Sequence, residues 1–539
     1  MTRKAREGAR QSKTETRNDH AENSRQGETP ADRLSSLADR HTRTATAAHH
    51  RADLDLKALE QCLDRIYAGI LADTGTGRTG TRMEEWLLDN RHIIDQTLEE
   101  IRKDLPPSYL RQLPLVEGED ESAPVIRVQD LARTLLREGA KPLDIDWLEY
   151  AVELYQDTTV LSIGELWALP TMLRLAIIDN LVKDAAERME TADSSRPVSP
   201  SAATVESEIQ ADEIAGDITS LRQLDAQDWR ESFERLSRVD RVLCRDPAEA
   251  YARMDFKSRD RYRGAVEEPA RGTHWTEIAV AGHAVELCRE ADAQDHRTRH
   301  VGYYLVSEGR PRLEQALEYR LSPRRRLFRR LLGHPALVYF GLLGPMVLIP
   351  LFGLAVHLLQ QQEPPLEVAA VTILAAVPVT GLAVAMLNGL VMWLLSPRVL
   401  PRMNFEKGIP CELRTAVVMP VLLGGRDDID HALERIEINY LNNEDEQLVY
   451  AVLSDWTDAP EASIPGDTEL LERAASGIRA LNRRYGRDPE RGPFLLLHRE
   501  RLWNEAEGCW MGWERKRGKL SEFNRLLAGA DGTSYATWV

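Results

Sequence analysis

The sequence predicts a chain in three parts: an α-helical cytoplasmic region, two transmembrane helices, and an incomplete α/β domain. Three observations predict this fold class. Apolar residues recur at helical spacing between positions 56 and 321, two long apolar runs lie within 335–396, and short β-branched runs alternate with helical stretches within 410–539. Amphipathic helices, membrane-spanning helices and alternating strands and helices leave these three patterns in a sequence.

Composition limits the kinds of partner that the chain can have. Its 539 residues are enough for about three or four domains of ordinary size, and its formal net charge is −17. Proteins that bind nucleic acids normally carry a basic surface, so this acidic balance predicts no nucleic-acid partner. The five cysteines are scattered without metal-ligand spacing, which is typical of free thiols in a reducing compartment and predicts no metal site.

The part before the apolar runs divides by composition into four segments. Residues 1–55 are polar and charged, and they predict a disordered tail because they offer too little apolar surface to offset the entropy of ordering. Residues 56–190 predict a helical domain. Residues 191–213 are rich in Ser, Pro, Ala and acidic residues, which predicts a linker. Residues 214–321 predict a second helical domain.

Two local patterns support helices in the first of these domains. Ser162 and Glu165 have the spacing of a capping box ahead of a densely apolar, buried helix. A second helix carries one apolar stripe, with residues at i, i+4, i+7 and i+11, and two prolines then stop it; the stripe is Ile94, Leu98, Ile101 and Leu105.

The segment 335–396 contains two apolar runs separated by a short polar hinge, and neither run has an Asp, Glu, Lys or Arg. Each run is long enough to cross a hydrocarbon core about 30 Å thick as a helix, which takes roughly 20 residues. A pair of buried helices in a soluble core is the alternative, but such helices seldom lack charged residues over so great a length. We therefore predict a two-helix transmembrane hairpin, with the lipid bilayer as a partner.

The flanks of the hairpin predict its orientation. Arginines are concentrated at 320–330 before the first run, and basic residues follow the second, whereas the hinge at 360–367 has no Lys or Arg. Basic residues stay on the cytoplasmic side of a membrane. The sequence therefore predicts a multi-pass membrane protein with the hinge outside and both termini in the cytoplasm.

After the membrane segment, the pattern is that of a parallel, Rossmann-like sheet. Apolar, β-branched runs at 415–423, 448–458 and 494–500 alternate with two helical stretches. Strands separated by helices pair in parallel through right-handed crossovers. Ligands of such sheets bind at the carboxyl ends of the strands, so side chains at those ends are the candidates for chemistry.

Two groups of polar side chains lie where such a ligand would bind. Asp455 and Asp458 follow the second strand, where a carboxylate accepts hydrogen bonds from a uracil or a ribose. Lys516, Arg517 and Lys519 flank a glycine after the aromatic sequence GCWMGW, an arrangement that lets the backbone approach a pyrophosphate closely and places guanidinium donors beside it. A lone pair of acids or a basic loop is also common on solvated surfaces, so both interpretations stay open on residues alone.

From about residue 83 onward the chain resembles the N-terminal part of the cyclic β-1,2-glucan synthases. The resemblance rests on long stretches in the same order, among them EEWLLDNRHIIDQ, LSIGELWALPTMLRLAIIDNL, RDPAEAYARMDFKSRDRYR, NFEKGIPCELRTAVVMPVLL, LSDWTDAPE and LLLHRERLWNEAEGCWMGWERKRGKLSEFNRLL. It implies a transferase bound to the bacterial inner membrane, with a domain of GT-A type and UDP-glucose as donor. It also implies a growing β-1,2-glucan chain as a partner and a divalent cation (Mg or Mn) in the complete enzyme.

The resemblance also assigns roles to individual residues. Asp455 matches the aspartate that contacts the uridine, and Lys516 matches the lysine of a Lys-x-Gly loop that faces the diphosphate, with Arg517 beside it. Pro420 ends the first strand as the family pattern requires, and Asp458 is a weaker match. No catalytic residue is assigned, because the family's Asp-x-Asp and general base lie downstream of the Lys-x-Gly loop and do not occur before residue 539.

The sequence therefore predicts the first half of a GT-A domain, inactive alone, behind a helical region and a membrane hairpin. Two other interpretations remain open at this point. One is a non-catalytic, membrane-anchored protein that binds a nucleotide or acts as a scaffold. The other is a separate polypeptide that completes an active site together with a second chain.

The predicted topology can be tested with reporter fusions in a bacterial host. We expect a periplasm-active reporter to be active when it is inserted at Gln362 in the hinge and silent at Gly425, because basic flanks hold both arms in the cytoplasm. A cytoplasm-active reporter should give the reverse pattern at the same two positions. A periplasmic signal at Gly425 would contradict the predicted orientation.

Overall fold

The structure is a computed structural model, and it describes residues 29–44, 54–75, 81–118, 124–193, 200–395, 397, 399–486, 492–530 and 532–539. The chain divides into two compact units, Met1–Arg402 and Met403–Val539. The first unit contains the helical region and the two long apolar helices. The second contains the α/β part.

Helices make up nearly all of the first unit. In chain order they are α1 Pro30–Thr44, α2 Leu56–Gly75, α3 Arg82–Asp89, α4 Arg91–Asp104, α5 Pro107–Leu110, α6 Arg127–Glu138, α7 Ile145–Gln156, α8 Ile163–Asp193, α9 Pro200–Ala226, α10 Trp229–Leu236, α11 Arg238–Leu243, α12 Phe256–Gly272, α13 Glu277–Glu290, α14 Val301–Val306, α15 Arg310–Ala316, α16 Pro323–Gly333, α17 Pro335–Gln360 and α18 Pro365–Leu394. A short antiparallel pair, β1 Leu115–Glu117 and β2 Pro124–Ile126, lies between α5 and α6.

The local helix signals in the sequence are confirmed. The Ser162 hydroxyl accepts a hydrogen bond from the Glu165 backbone N–H at 3.2 Å, and the Glu165 carboxylate accepts one from the Ser162 N–H at 2.9 Å, which together form the capping box of α8. In α4 the predicted apolar stripe is buried, and the helix ends at Asp104, two residues before Pro106. These segments form helices because the helical spacing of their apolar residues and the capping residues at their ends favour the same conformation.

The predicted disordered tail, 1–55, is corrected in part, because residues 30–44 form a helix. Leu34, Leu37 and Ala38 of α1 are buried in the core of the helical region. His41 is fully buried, with its ring nitrogens 2.7 Å from the Tyr155 hydroxyl oxygen and 3.0 Å from an Asp130 carboxylate oxygen. Residues 1–28 and 45–53 lie outside the described residues.

The predicted division into two helical domains and a linker is also corrected. One continuous set of buried apolar side chains extends from Leu34 to Leu317, so the segments 56–190 and 214–321 share a core. Helix α9 begins at Pro200 and therefore covers much of the predicted linker 191–213, of which residues 194–199 lie outside the described residues. Apolar residues late in α9 explain this outcome, since Ile214, Ile218 and Leu221 are buried in the shared core.

The two apolar runs form helices α17 and α18, of 26 and 30 residues, and the mean hydropathy of the most apolar stretch is 2.2 in each. Both are long and apolar enough to cross a membrane. None of the most apolar stretch of α17 and only 11% of that of α18 is buried. Core helices of a soluble protein are mostly buried, so the buried-core alternative does not describe this pair. The Tyr339 hydroxyl donates a hydrogen bond to the Asn388 side-chain oxygen at 3.0 Å, which links the two helices.

The second unit contains a four-stranded sheet in the order β3-β4-β5-β8, with strands β3 Thr415–Leu423, β4 Leu448–Trp456, β5 Phe494–Arg499 and β8 Tyr535–Trp538. The first three strands are parallel, as predicted, and β8 pairs with β5 in the antiparallel direction. Two helices make the parallel crossovers, α19 Arg426–Asn442 and α20 Asp467–Tyr485. A small hairpin and a final helix follow β5: β6 Leu502–Asn504, β7 Cys509–Met511 and α21 Arg515–Leu527.

Helices cover both faces of the sheet, which makes its central strand almost completely buried. Side chains alternate between the faces of a strand. On one face of β4, Tyr450, Val452 and Trp456 pack with apolar residues of α19 and α20. On the other face, Ala451 and Leu453 pack with Phe523 of α21. Asp455 has the same parity as Ala451 and Leu453, so it belongs to the face that α21 covers.

Candidate functional site

The carboxyl ends of β3, β4 and β5 meet at one edge of the sheet, and a buried group of charges lies there. Asp455 at the end of β4 is directly opposite Arg499 at the end of β5, on the same face. The Arg499 guanidinium binds both carboxylate oxygens of Asp455, from Nε at 2.7 Å and from Nη2 at 3.0 Å. This two-point geometry is the strongest form of an arginine–carboxylate contact.

Lys519 of α21 completes the coordination of the carboxylate. Its Nζ is 2.9 Å from an oxygen of Asp455 and donates a hydrogen bond to the Val421 carbonyl oxygen of β3 at 2.7 Å. The three charged side chains are 0–2% exposed. Lys519 thus connects the ends of β3 and β4 to α21, and it does so in a place from which water is excluded.

A second carboxylate balances the two cations. Glu522 lies about one helical turn after Lys519 in α21 and accepts a hydrogen bond from Arg499 Nη1 at 3.3 Å. It also accepts hydrogen bonds from the Ser534 backbone N–H at 3.0 Å and hydroxyl at 2.6 Å. Two carboxylates and two cations give a formal sum of zero, which is the condition under which buried charges are tolerated. We call Asp455, Arg499, Lys519 and Glu522 the strand-end cluster.

Burial and pairing act in opposite directions on the cations of this cluster. Burial lowers the pKa of Lys519, and the adjacent Asp455 carboxylate only partly opposes this effect. For Arg499 burial is again the largest single effect and acts to lower the pKa, but the hydrogen bond to Asp455 and the negative charges of Asp455 and Glu522 together outweigh it, so that the pKa lies above its usual value. The guanidinium therefore stays charged, and it is the fixed cation of the cluster.

The loop before α21 closes over Asp455 in an unfavourable backbone conformation. Glu514 and Arg515 have φ angles of 45° and 47°, in the left-handed region that non-glycine residues rarely adopt. Arg499 Nη2 donates hydrogen bonds to the carbonyl oxygens of Trp513 at 3.2 Å and Arg515 at 3.1 Å, which hold this conformation. Strain of this kind persists where the surroundings over-determine it.

Two glycines of the sequence GCWMGWERKRG are explained by close approach. A Cβ atom on Gly512 would lie 2.9 Å from the Asp455 carboxyl carbon. A Cβ atom on Gly518 would overlap the Trp513 carbonyl oxygen. The glycine of the predicted Lys-x-Gly loop therefore permits the helix to pack against its own preceding loop.

The structure places the predicted site residues at different depths. Of the five, only Asp455 belongs to the strand-end cluster. Pro420 does not end the first strand as predicted: it lies within β3, half-buried and opposite Leu453, and the strand continues to Leu423. Lys516 and Arg517 are exposed in the first turn of α21, and Arg517 pairs with Glu514 at 2.9 Å.

Asp458 lies two residues beyond β4 and is partly exposed, with its carboxylate 2.8 Å from Arg515 Nη2. The same guanidinium is 3.1 Å from Glu507. Potential ligand atoms of Asp458, Glu507 and Cys509 lie within 4.8 Å of one another, which is the one such grouping of three in the described part of the chain. An arginine on two of these groups and a thiol as the third do not fit Mg²⁺ or Mn²⁺, which prefer sets of oxygen ligands.

Sequence reasoning missed three of the four members of the strand-end cluster. It noted Lys519 only as part of a basic loop and did not select Arg499 or Glu522. One signal in the sequence marks Lys519: it shares a helix face with Phe523 four residues later, and both are buried. Lys516 and Arg517 precede that face and remain exposed.

A second buried pair fixes the loop that follows β4. Arg501 binds the Asp467 carboxylate from Nη1 at 2.5 Å and donates from Nε to the Thr457 carbonyl oxygen at 2.7 Å.

His498, on the opposite face of β5 from Arg499, has its Nδ1 2.8 Å from the Ser454 hydroxyl oxygen. Burial lowers the pKa of His498 to about 4, although Asp455 acts in the opposite direction. The imidazole is therefore neutral at pH 7.

This geometry defines a class of protein: an α/β unit with a buried cluster of charges at the carboxyl ends of its parallel strands, in a chain that also carries two helices long enough to span a membrane. No protein-family model matches the chain. It is 32% identical over 548 residues to the cyclic beta-(1,2)-glucan synthase NdvB of Rhizobium meliloti (strain 1021). The alignment covers 87% of this chain and 19% of that protein, so the chain spans about a fifth of the length of the curated relative.

An identity of 32% sustained through most of the chain confirms the resemblance found in the sequence. The chain belongs to the cyclic β-1,2-glucan synthase family.

Replacing Asp455 tests whether the strand-end cluster holds the α/β unit together. We expect Asp455→Ala to lower the free energy of unfolding by about 3–5 kcal/mol, because Arg499 and Lys519 would be left buried without their shared carboxylate. Urea-dependent hydrogen exchange, measured by mass spectrometry on peptides from β4 and β5 of the full chain, reports this quantity. The control Asp458→Ala removes a partly exposed ion pair and should cost less than about 1 kcal/mol. Equal losses in the two variants would contradict a structural role for the cluster.

Because His498 is buried in its neutral form, we expect the α/β unit to lose stability in mild acid. The unfolded state takes up a proton near pH 6.5, whereas the folded state stays neutral until about pH 4. Protonation therefore favours the unfolded state between these two values. The free energy of unfolding is unaffected by His498 above pH 6.5 and decreases by up to about 3 kcal/mol as the pH falls from 6.5 to about 4. The same exchange measurement, corrected for intrinsic rates at each pH, should show a smaller loss in His498→Gln, which cannot titrate. Parallel pH profiles for the two proteins would show that another group is responsible.

Proposed function

We propose that this chain supplies the membrane-bound, nucleotide-sugar-binding part of a glycosyltransferase that polymerises glucose from UDP-glucose into cyclic β-1,2-glucan. The observation that carries the proposal is the 32% identity to a cyclic beta-(1,2)-glucan synthase through 87% of the chain. The parallel sheet supports it, because ligands of such sheets bind at the carboxyl ends of the strands. On this proposal the α/β unit is the first half of a GT-A domain.

The exposed side chains around the strand-end cluster are the proposed contacts of the nucleotide. Lys516 and Arg517 lie in the first turn of α21, where cationic side chains and free backbone N–H groups together favour a diphosphate. Asp458 lies at the same edge of the sheet and is proposed to accept hydrogen bonds from the uridine. Asp455 is proposed to act beneath them, because both of its oxygens already bind cations of the cluster.

We further propose that α17 and α18 form a transmembrane hairpin in the bacterial inner membrane, with both flanking arms in the cytoplasm. The exposure of their apolar side chains supports this placement, since water would not tolerate so large an apolar surface. The arginines before α17 and the absence of basic residues in the hinge support the orientation. This arrangement places the α/β unit on the side of the membrane where nucleotide sugars are available.

Transfer of glucose requires that the departing diphosphate be neutralised, commonly by a divalent cation. The grouping of Asp458, Glu507 and Cys509 does not suit Mg²⁺ or Mn²⁺, and Arg515 already lies against its two carboxylates. We therefore propose that such a cation acts only in a complete enzyme and that this chain makes no glucan alone.

One observation favours a second candidate function. Every charge in the strand-end cluster has its partner within the cluster or in nearby backbone, as expected of a purely structural arrangement. The alternative is therefore a non-catalytic, membrane-anchored protein that binds a nucleotide or acts as a scaffold. Binding of UDP alone does not separate the two candidates, so glucan synthesis must be measured as well.

The proposal can be tested on the full chain in detergent. We expect calorimetry to show UDP binding, and we expect Lys516→Ala and Asp458→Ala each to weaken it about ten- to a hundred-fold, because each removes a charge-assisted hydrogen bond worth roughly 1.5–3 kcal/mol. Asp430→Ala is the matched control, since Asp430 is an exposed carboxylate that pairs with Arg473 elsewhere in the same unit. Absence of UDP binding would overturn the nucleotide site and leave the scaffold.

Incubation of the same protein with labelled UDP-glucose and Mg²⁺ or Mn²⁺ should give no β-1,2-linked product. In a complementary experiment, the region of the relative that this chain does not cover is added as a second chain, and we expect glucan synthesis to be restored. Sustained synthesis by the chain alone would show that its catalytic residues have been misplaced.

A further inference from the structure

Helix α16, Pro323–Gly333, carries an apolar side that the described residues of its own unit cover only in part. None of its residues is buried. Successive residues of a helix are rotated by about 100°, so positions i, i+1, i+4 and i+5 fall on one side. Large apolar side chains occupy those positions and are 44–60% exposed, namely Leu327, Phe328, Leu331 and Leu332.

The helix also carries five arginines. Arg324 is exposed in the first turn, on the same side as the apolar residues and one turn before them, and the other four form two pairs in different environments. Arg325 and Arg329 are one turn apart on one flank, and both bind the helical region. Arg325 pairs with Glu268, and Arg329 binds the Glu314 carboxylate from two nitrogens at 2.6 and 2.7 Å. These contacts attach α16 to its own unit by one flank.

The second pair lies on the other flank and behaves differently. Arg326 and Arg330 are also one turn apart, and both are exposed. Within the described ranges of the chain, no carboxylate forms an ion pair with either guanidinium. The unpartnered charges and the apolar side therefore belong to the part of the helix that faces away from Glu268 and Glu314.

The position of α16 in the chain restricts what can cover its apolar side. It ends at Gly333, and the apolar helix α17 begins at Pro335. His334 between them has φ −128° and ψ 61°, outside the helical region, so the two helices are separate and not one continuous rod. A single residue of separation places the end of α16 at the level where α17 would enter the hydrocarbon core.

We propose that α16 lies in the membrane interface, with Leu327, Phe328, Leu331 and Leu332 among the acyl chains and Arg326 and Arg330 on the phosphates of anionic lipids. This inference rests on the membrane hairpin of the proposed function. A strongly basic, amphipathic helix with leucine and phenylalanine on its apolar side is the kind that binds such a surface. Arginine is well suited to phosphate because its planar group offers two parallel donors. The contacts of Arg325 and Arg329 then couple the helical region to the lipid surface.

The depth of the helix can be measured by spin labelling of the full chain in nanodiscs that contain phosphatidylglycerol and phosphatidylcholine. Single cysteines replace Leu331, Arg326, Ile349 and Asp292 in a background in which the five native cysteines are changed to serine. We expect labels at Leu331 and at Ile349 in α17 to collide more with oxygen than with a water-soluble nickel chelate. Labels at Arg326 and at Asp292, an exposed loop position, should favour the chelate.

The reference positions separate the two proposals that the experiment involves. A Leu331 label as accessible to the chelate as Asp292, with Ile349 still shielded, would overturn the interfacial helix and leave the hairpin intact. Chelate access at Ile349 as well would overturn both.

The role of the arginines is tested by titrating a short-chain phosphatidylglycerol into the detergent-solubilised chain. Each arginine near an anionic lipid surface contributes about five-fold in affinity, so Arg326→Gln together with Arg330→Gln should weaken binding about 25-fold. Arg289→Gln together with Arg312→Gln removes two exposed arginines of the same unit and is the matched control, which should bind as the unmodified chain does. Equal affinity of the two double variants would show that Arg326 and Arg330 do not bind the lipid phosphate.

Discussion

The pairing of Asp455 with Arg499 and Lys519 is the interaction on which the strand ends of the α/β unit depend. A carboxylate taken out of water is costly unless several donors surround it, and here three charged hydrogen bonds do so. These bonds come from a neighbouring strand and from a helix far along the chain. They therefore fix the end of β4, the end of β5 and the start of α21 relative to one another. The surface above them is built on this arrangement.

The same principle, applied to apolar surface, separates the rest of the chain into two environments. In the helical region the apolar residues are inside, and one core joins segments that composition divides into two domains and a tail. In α17 and α18 the apolar residues are outside, over almost the whole surface of both helices. Burial depends on the solvent that surrounds each part, so an inward core and an outward apolar surface in one chain are what the proposed membrane hairpin requires.

Features that depend on local pattern could be predicted from the sequence. Such features have a characteristic spacing or length of apolar residues in the sequence. They are the apolar stripe of α4, the cap at Ser162, the two long apolar helices and the parallel strands. The helix at residues 30–44 could not be predicted this way. Its few apolar residues stand among charged ones, and it becomes ordered because they reach a core made by later segments.

The candidate site was predictable only in part, for a related reason. Asp455 could be placed because it lies at the end of a strand, and the ends of parallel strands meet at one edge of the sheet. The choice between Lys516 and Lys519 depends on how α21 rotates when it packs, which the spacing of charges does not reveal. In the sequence Arg499 is simply a polar residue at the end of an apolar strand, and only its position opposite Asp455 in the sheet shows that it pairs with that carboxylate. Roles of this kind arise from residues that are 23 to 98 positions apart in the chain.

Arg499 also joins a charge to a backbone conformation. Its guanidinium binds the Asp455 carboxylate and, through Nη2, the carbonyl oxygens of Trp513 and Arg515, whose loop holds two residues at positive φ. Any event that weakens the first contact changes the free energy of the second, since both share one group. The shape of the loop and the strength of the Asp455–Arg499 ion pair are therefore linked thermodynamic variables. A ligand that distinguishes between loop shapes would, by the same linkage, strengthen or weaken an ion pair that it does not touch.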